Sequence, residues 1–177
     1  MRLFVALSIP DAVALRLSLL QSGVPGARWQ KREQLHLTLR FLGEVDGAQM
    51  RDVDDMLAGI EAPGFSLELK GVGEFGHDKP HALWSNVAPN EALLHLQRKV
   101  ERAMQQIGIA PDKHKYQPHV TLAYLRRTPP GIVMDWLTDH ARFASEPFEV
   151  SRFALYSSKL TSDGSSYRVE RQYELRV

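Results

Sequence analysis

Two stretches, "QLHLTLRFLGEV" at residues 34–45 and "PHVTLAY" at residues 118–124, share the pattern His-x-Thr-Leu, beginning at His36 and at His119. The chain has seven histidines and five threonines among 177 residues. Chance then supplies about 0.2 His-x-Thr matches, so two, each followed by leucine, mark a constraint. On a strand, side chains alternate between faces. His36 and Thr38 therefore share one face, with Leu35, Leu37 and Leu39 on the opposite, apolar one. His119 and Thr121 are set against Val120 and Leu122 in the same way. If the two halves are related by a pseudo-twofold, both polar faces line one cleft.

Working outward, residues 2–7 read as a first strand and residues 10–21 as an apolar helix started by Pro10. Trp29 opens an extended stretch leading into the first motif. Asp46 caps a helix carrying Met50, Val53, Met56, Leu57 and Ile60, and Asn90 caps a longer one with Leu93, Leu96, Val100, Met104 and Ile107 on one face, ended by Gly108. Residues 65–70 and 82–87 alternate as strands. A helix is predicted over residues 131–140, and residues 148–157 and 167–177 form a hairpin turning at Asp163-Gly164. Each motif is thus preceded by a helix and followed by a helix and two strands. Trp84 and Tyr167 follow their histidines by the same 48 residues (36 to 84, 119 to 167). Little residue identity accompanies this repeat, so it is a duplicated architecture.

A chain of this length suits one domain, or two small lobes sharing a core. The net charge of +1 argues against non-specific duplex binding and leaves room for a local pocket suited to a phosphate. The absence of cysteine excludes disulfides, thiolate catalysis and Cys-ligated zinc, and is compatible with a reducing, cytoplasmic location. Pro10 and Asp11 break the N-terminal apolar run too early for a signal peptide, and no stretch is long enough to span a bilayer.

Two histidines across a phosphoryl group can act as base and acid near neutral pH. A threonine beside each can donate a hydrogen bond to a non-bridging oxygen, where charge develops. Such a site needs no metal, cofactor or nucleophilic residue, and suits cleavage of a phosphodiester with an intramolecular or strained element.

On these residues the sequence resembles the two-histidine (2H) phosphoesterase superfamily, and within it the RNA 2′,3′-cyclic phosphodiesterase group, also called 2′-5′ RNA ligases. "RLFVALSIP" resembles the opening strand, "ARWQKREQLHLTLRFLGEV" the first motif, "PHVTLAY" the second and "FALYSSKLTSDGSSY" the late hairpin. The resemblance implies an α+β fold over residues 1–177, one domain of two lobes. Two antiparallel sheets would face across a central cleft with helices outside. It implies hydrolysis of 2′,3′-cyclic phosphate ends of RNA or nucleotides to 2′-phosphates, with reversible ligation of 2′-5′ linkages. His36 would be the proton donor, His119 the acceptor, and Thr38 and Thr121 the phosphate ligands. No metal or cofactor is expected, and the protein is expected to be a monomer. Phe4 is a candidate base contact. Tyr124 departs from the family, where many relatives carry a basic residue; Arg126, with Arg127 beside it, is the expected substitute, and Arg40 is a further candidate by strand alternation. A small cyclic phosphate such as ADP-ribose cyclic phosphate is an alternative substrate, and a non-catalytic nucleotide-binding module an alternative role.

Other motifs carry less. "GVGEFG" at residues 71–76 matches a dinucleotide fingerprint formally, but Pro80 blocks the helix that such a site needs, so a loop is expected. His77 and His81 have zinc-like spacing only if helical. Lys113 and Lys115 flank His114 in a basic run that could draw RNA toward the second motif.

Overall fold

The computed structural model describes residues 1–176. It is an α+β fold of four helices and antiparallel strands. Strand β1, Arg2–Ser8, is buried from Leu3 to Leu7 because it lies between two neighbours and is covered on both faces. Those neighbours are β3, His36–Glu44, and β9, Arg152–Thr161. Helix α1, Asp11–Ser18, is shorter than its sequence suggests. Residues 19–21 tighten into i→i+3 bonds such as Leu20 N–H to the Leu17 carbonyl. A two-residue strand β2, Arg28–Trp29, pairs with the second motif strand β7, His119–Tyr124, instead of running on into the first.

The helix caps are those the sequence indicates. Asp46 and Gln49 form a reciprocal capping box at the start of α2, Gly47–Ala58, and Asn90 accepts the Leu93 N–H at the start of α3, Glu91–Gln106. Helix α4 covers Pro130–Asp139. Buried residues of all four helices join Leu3, Val5, Leu7, Leu37, Leu39, Val120 and Leu122 in one apolar cluster. The opposite, polar face of the motif strands is left to a cavity.

Residues 65–70, expected as one strand, divide between β4, Phe65–Leu67, and β5, Leu69–Phe75. Residues 148–157 likewise split into β8, Phe148–Val150, and β9, and β4 and β8 form a separate two-stranded sheet. "GVGEFG" lies mainly in β5, paired with β6, Ala82–Val87, and not in a loop. Strand β10, Gly164–Glu174, returns along β9 through a tight turn in which Gly164 adopts φ +113°.

The main sheet is continuous, in the order β10-β9-β1-β3-β7-β6-β5, with β2 beside β7. β3 and β7 are joined at a single register pair, Leu37 with Val120. The linear repeat is not the spatial one. The strands that follow the first motif, β5 and β6, extend the sheet from β7, whereas β9 and β10, which follow the second, extend it from β1. Trp84 stands on β6 beside β7, whereas Tyr167 lies on the outermost strand, so their equal spacing marks no equivalent place.

Candidate active site

The register of the motif strands decides which side chains meet. Across β1 and β3, Ala6 opposes Thr38 but Val5 opposes Arg40, leaving Leu39 unopposed. Across β6 and β7, Trp84 opposes Thr121 and Leu83 opposes Ala123, leaving Leu122 unopposed. Each motif strand thus bulges at the leucine after its threonine. A bulge adds one residue and reverses the alternation beyond it. Phe41 and Tyr124 therefore take the cavity face, and Arg40 and Ala123 turn inward.

Arg40 is accordingly not a site residue. It is 7% exposed, ion-paired with Glu101, and donates to the carbonyls of Phe41 and Ala110. Burial pushes the Glu101 carboxyl up, but hydrogen bonds from Arg40, Gln105 and the Asp112 N–H, with the Arg40 charge, hold it below its usual range. Arg126 also stands outside the cavity, beside a neighbouring groove. Lys113, His114 and Lys115 are exposed and line neither.

The structure brings His36, Thr38, His119 and Thr121 together in a cavity of about 580 Å³, with Phe4, Phe41, Tyr124 and Tyr167 around them. Each histidine is held in the same way. His36 Nδ1 lies 2.8 Å from the Gln34 carbonyl and His119 Nδ1 lies 2.7 Å from the Gln117 carbonyl. A carbonyl only accepts, so both Nδ1 atoms carry hydrogen, and Nε2 is the nitrogen left for chemistry. Each ring also meets an aromatic edge to face: His36 with Tyr167 at 5.1 Å and His119 with Phe75 at 5.0 Å between centroids.

The floor differs between the halves. Phe4, 2% exposed, packs 4.8 Å from His36 and stacks on Tyr156, so it supports the imidazole more than it presents a face to a ligand. Beneath His119 lies Trp84, at 5.7 Å. Its indole crosses Gly73, where an added Cβ would stand 2.3 Å from the ring. Glycine at 73 is what lets the two come so close.

Burial lowers the pKa of both histidines below 6.5, against the opposing hydrogen bonds to Gln34 and Gln117. The positive field of His119 lowers His36 further. The Tyr124 hydroxyl is raised by burial and by Tyr167, against a hydrogen bond with Thr121. Among described residues, the one Lys or Arg lining the cavity is Arg2, two positions from Phe4 on the same face of β1.

Arg2, Phe41, Phe75 and Tyr167 were not candidates from sequence. For Phe41 a signal exists, since Gln-x-His-x-Thr-Leu-x-aromatic recurs at residues 34–41 and 117–124. His81 lines the cavity from the turn after β5, which is not helical, so its spacing from His77 is not that of helical zinc ligands.

Residues 9–161 match the family model described as the 2′-5′ RNA ligase superfamily. The RNA 2′,3′-cyclic phosphodiesterase of Aeropyrum pernix is 34% identical over 92% of this chain and 93% of its own. A crystal structure from Thermus thermophilus superposes with a TM-score of 0.82 at 29% identity, covering 99% and 98% of the two chains. Escherichia coli LigT, solved with 3′-AMP, shares the fold with a TM-score of 0.80 at 22% identity, over 98% and 97% of the two chains.

Proposed function

The chain belongs to the 2′-5′ RNA ligase superfamily, and we propose that it is a metal-independent RNA 2′,3′-cyclic phosphodiesterase. The observation that carries this reading is the pair of imidazoles lining one cavity, each fixed through Nδ1 and free at Nε2, each with a threonine two residues on.

In the reactive state one imidazole is neutral and the other protonated. His119 Nε2 takes a proton from water as its oxygen attacks phosphorus. The bond from phosphorus to the 3′-oxygen breaks, and His36 gives its proton to that oxygen. The products are a 2′-phosphate and a free 3′-hydroxyl, and proton exchange with solvent resets the pair. Thr38 and Thr121 donate to the non-bridging oxygens as charge builds there. With a 5′-hydroxyl attacking in place of water, the same site joins a 2′-5′ linkage. Arg2 supplies the positive charge that Tyr124 does not.

The two halves are read as lobes of one domain, related by a pseudo-twofold that passes between Leu37 and Val120. Matched bulges and matched histidine carbonyl bonds support that symmetry. The test is incubation with a 2′,3′-cyclic-phosphate-ended oligonucleotide in EDTA, followed by identification of the product isomer. A 2′-phosphate is expected. A 3′-phosphate, or loss of turnover in EDTA, contradicts the mechanism.

A further inference from the structure

A groove of about 570 Å³ adjoins the central cavity, and His81 lines both. Its walls are the turn at residues 76–81 and the segment at residues 125–129 that follows β7. The Leu125 N–H ties the walls together by donating to the His81 carbonyl at 2.9 Å, and the turn itself is held by Lys79 N–H to the Gly76 carbonyl at 3.0 Å and His81 N–H to the Phe75 carbonyl at 2.8 Å.

Three observations distinguish this groove from an ordinary solvated surface. Lys79, Arg126 and Arg127 line it against Asp78 alone, a local charge of +2 in a chain whose total is +1. None of these four is ion-paired among the described residues. His77 and Arg127, one on each wall, are the only non-glycine residues with positive φ among those described, both at 56°. Such backbone is unfavourable for an L-residue and persists where the surroundings hold it, and such residues cluster at active sites, ligand clamps and switch regions. Finally, Thr128 is 6% exposed and its hydroxyl meets no protein partner.

We propose that this groove holds the phosphodiester backbone of single-stranded RNA whose cyclic 3′ end lies in the central cavity, a reading that rests on the phosphodiesterase assignment above. Unpaired guanidinium and ammonium groups suit phosphate oxygens. The shared His81 sets the groove directly beside the cavity. The site therefore favours polynucleotide ends over free cyclic mononucleotides.

The test compares the parent with Lys79→Gln/Arg126→Gln on adenosine 2′,3′-cyclic phosphate and on cyclic-phosphate-ended oligoadenylates of two to six residues. In the parent, kcat/KM rises at least about tenfold with length, and in the variant that gain collapses through KM, as expected for lost phosphate contacts. Binding of a labelled hexamer ending in a 2′-phosphate, followed by anisotropy against salt, gives a slope shallower by about 1.4 in the variant, for two phosphates lost on a single strand. Arg98→Gln/Arg102→Gln, on exposed positions of α3, keeps the parent slope. The proposal is overturned if the parent shows no length preference, if the variant keeps the gain and the slope, or if the α3 control lowers the slope equally. Failure to hydrolyse any cyclic phosphate counts against the assigned activity instead, and the salt slopes still decide the groove.

Discussion

Leu37 and Val120 are the only register pair between β3 and β7 among the described residues, and each directly follows a cavity-lining histidine. The joint between the two motif strands is therefore also what sets one imidazole against the other. Both side chains are fully buried. Leu37→Ala opens a cavity at this joint and should cost about 2–5 kcal/mol of stability. The denaturant midpoint checks it; a midpoint close to the parent's would show that the joint carries little.

The histidines also set a pH dependence. The free enzyme is active with one proton shared between two groups whose folded pKa values both lie below 6.5. The singly protonated form is then most abundant below pH 6.5, so kcat/KM should be bell-shaped with its maximum there. Stability has a matching sign. Between those folded values and 6.5 the unfolded chain binds more protons, so stability rises with pH through that window and is lost as pH falls through it. Rate and denaturation midpoints measured from mildly acidic to mildly alkaline pH check both. A rate maximum on the alkaline side of neutrality contradicts the lowered values.

Arg40 tests the bulge. Arg40→Ala leaves Glu101 without its buried partner and should destabilise the fold by about 3 kcal/mol. Because the guanidinium turns away from the cavity, kcat/KM at a temperature where the variant is folded should stay within about twofold of the parent. A large catalytic loss in a fully folded variant would put Arg40 back at the site.

Gly73 tests the floor under His119. A methyl group there meets the Trp84 ring at 2.3 Å, so Gly73→Ala must displace the indole on which His119 rests. Misplacing a reacting group by about 1 Å can cost on the order of 10² in rate. The expected result is a fall in kcat toward that size. An unchanged rate would mean that His119 is oriented by the Gln117 carbonyl alone.

The two His-x-Thr strands, the capped helices and the late hairpin were legible in sequence because each rests on local periodicity or cap chemistry. What was not legible is non-local. Strict alternation placed Arg40 beside Thr38, but the unopposed Leu39 reverses the face, and nothing in that leucine announces a bulge. The 48-residue spacing reads as a duplicated architecture, but it carries no information on which strands pair. Sheet order depends on partners far along the chain, and β5 and β6 extend from the second motif strand. The aromatic five residues after each histidine was present in both stretches, yet it gains meaning only once the matched bulges turn Phe41 and Tyr124 into the cavity.

The central claim is that two imidazoles from two strands act as one acid–base pair. Its most direct test is the turnover of a 2′,3′-cyclic-phosphate-ended oligonucleotide by His36→Ala and by His119→Ala, each first shown to unfold cooperatively. Each variant should be slower by about 10²–10⁴, and either one retaining a rate within about tenfold of the parent would contradict the pair.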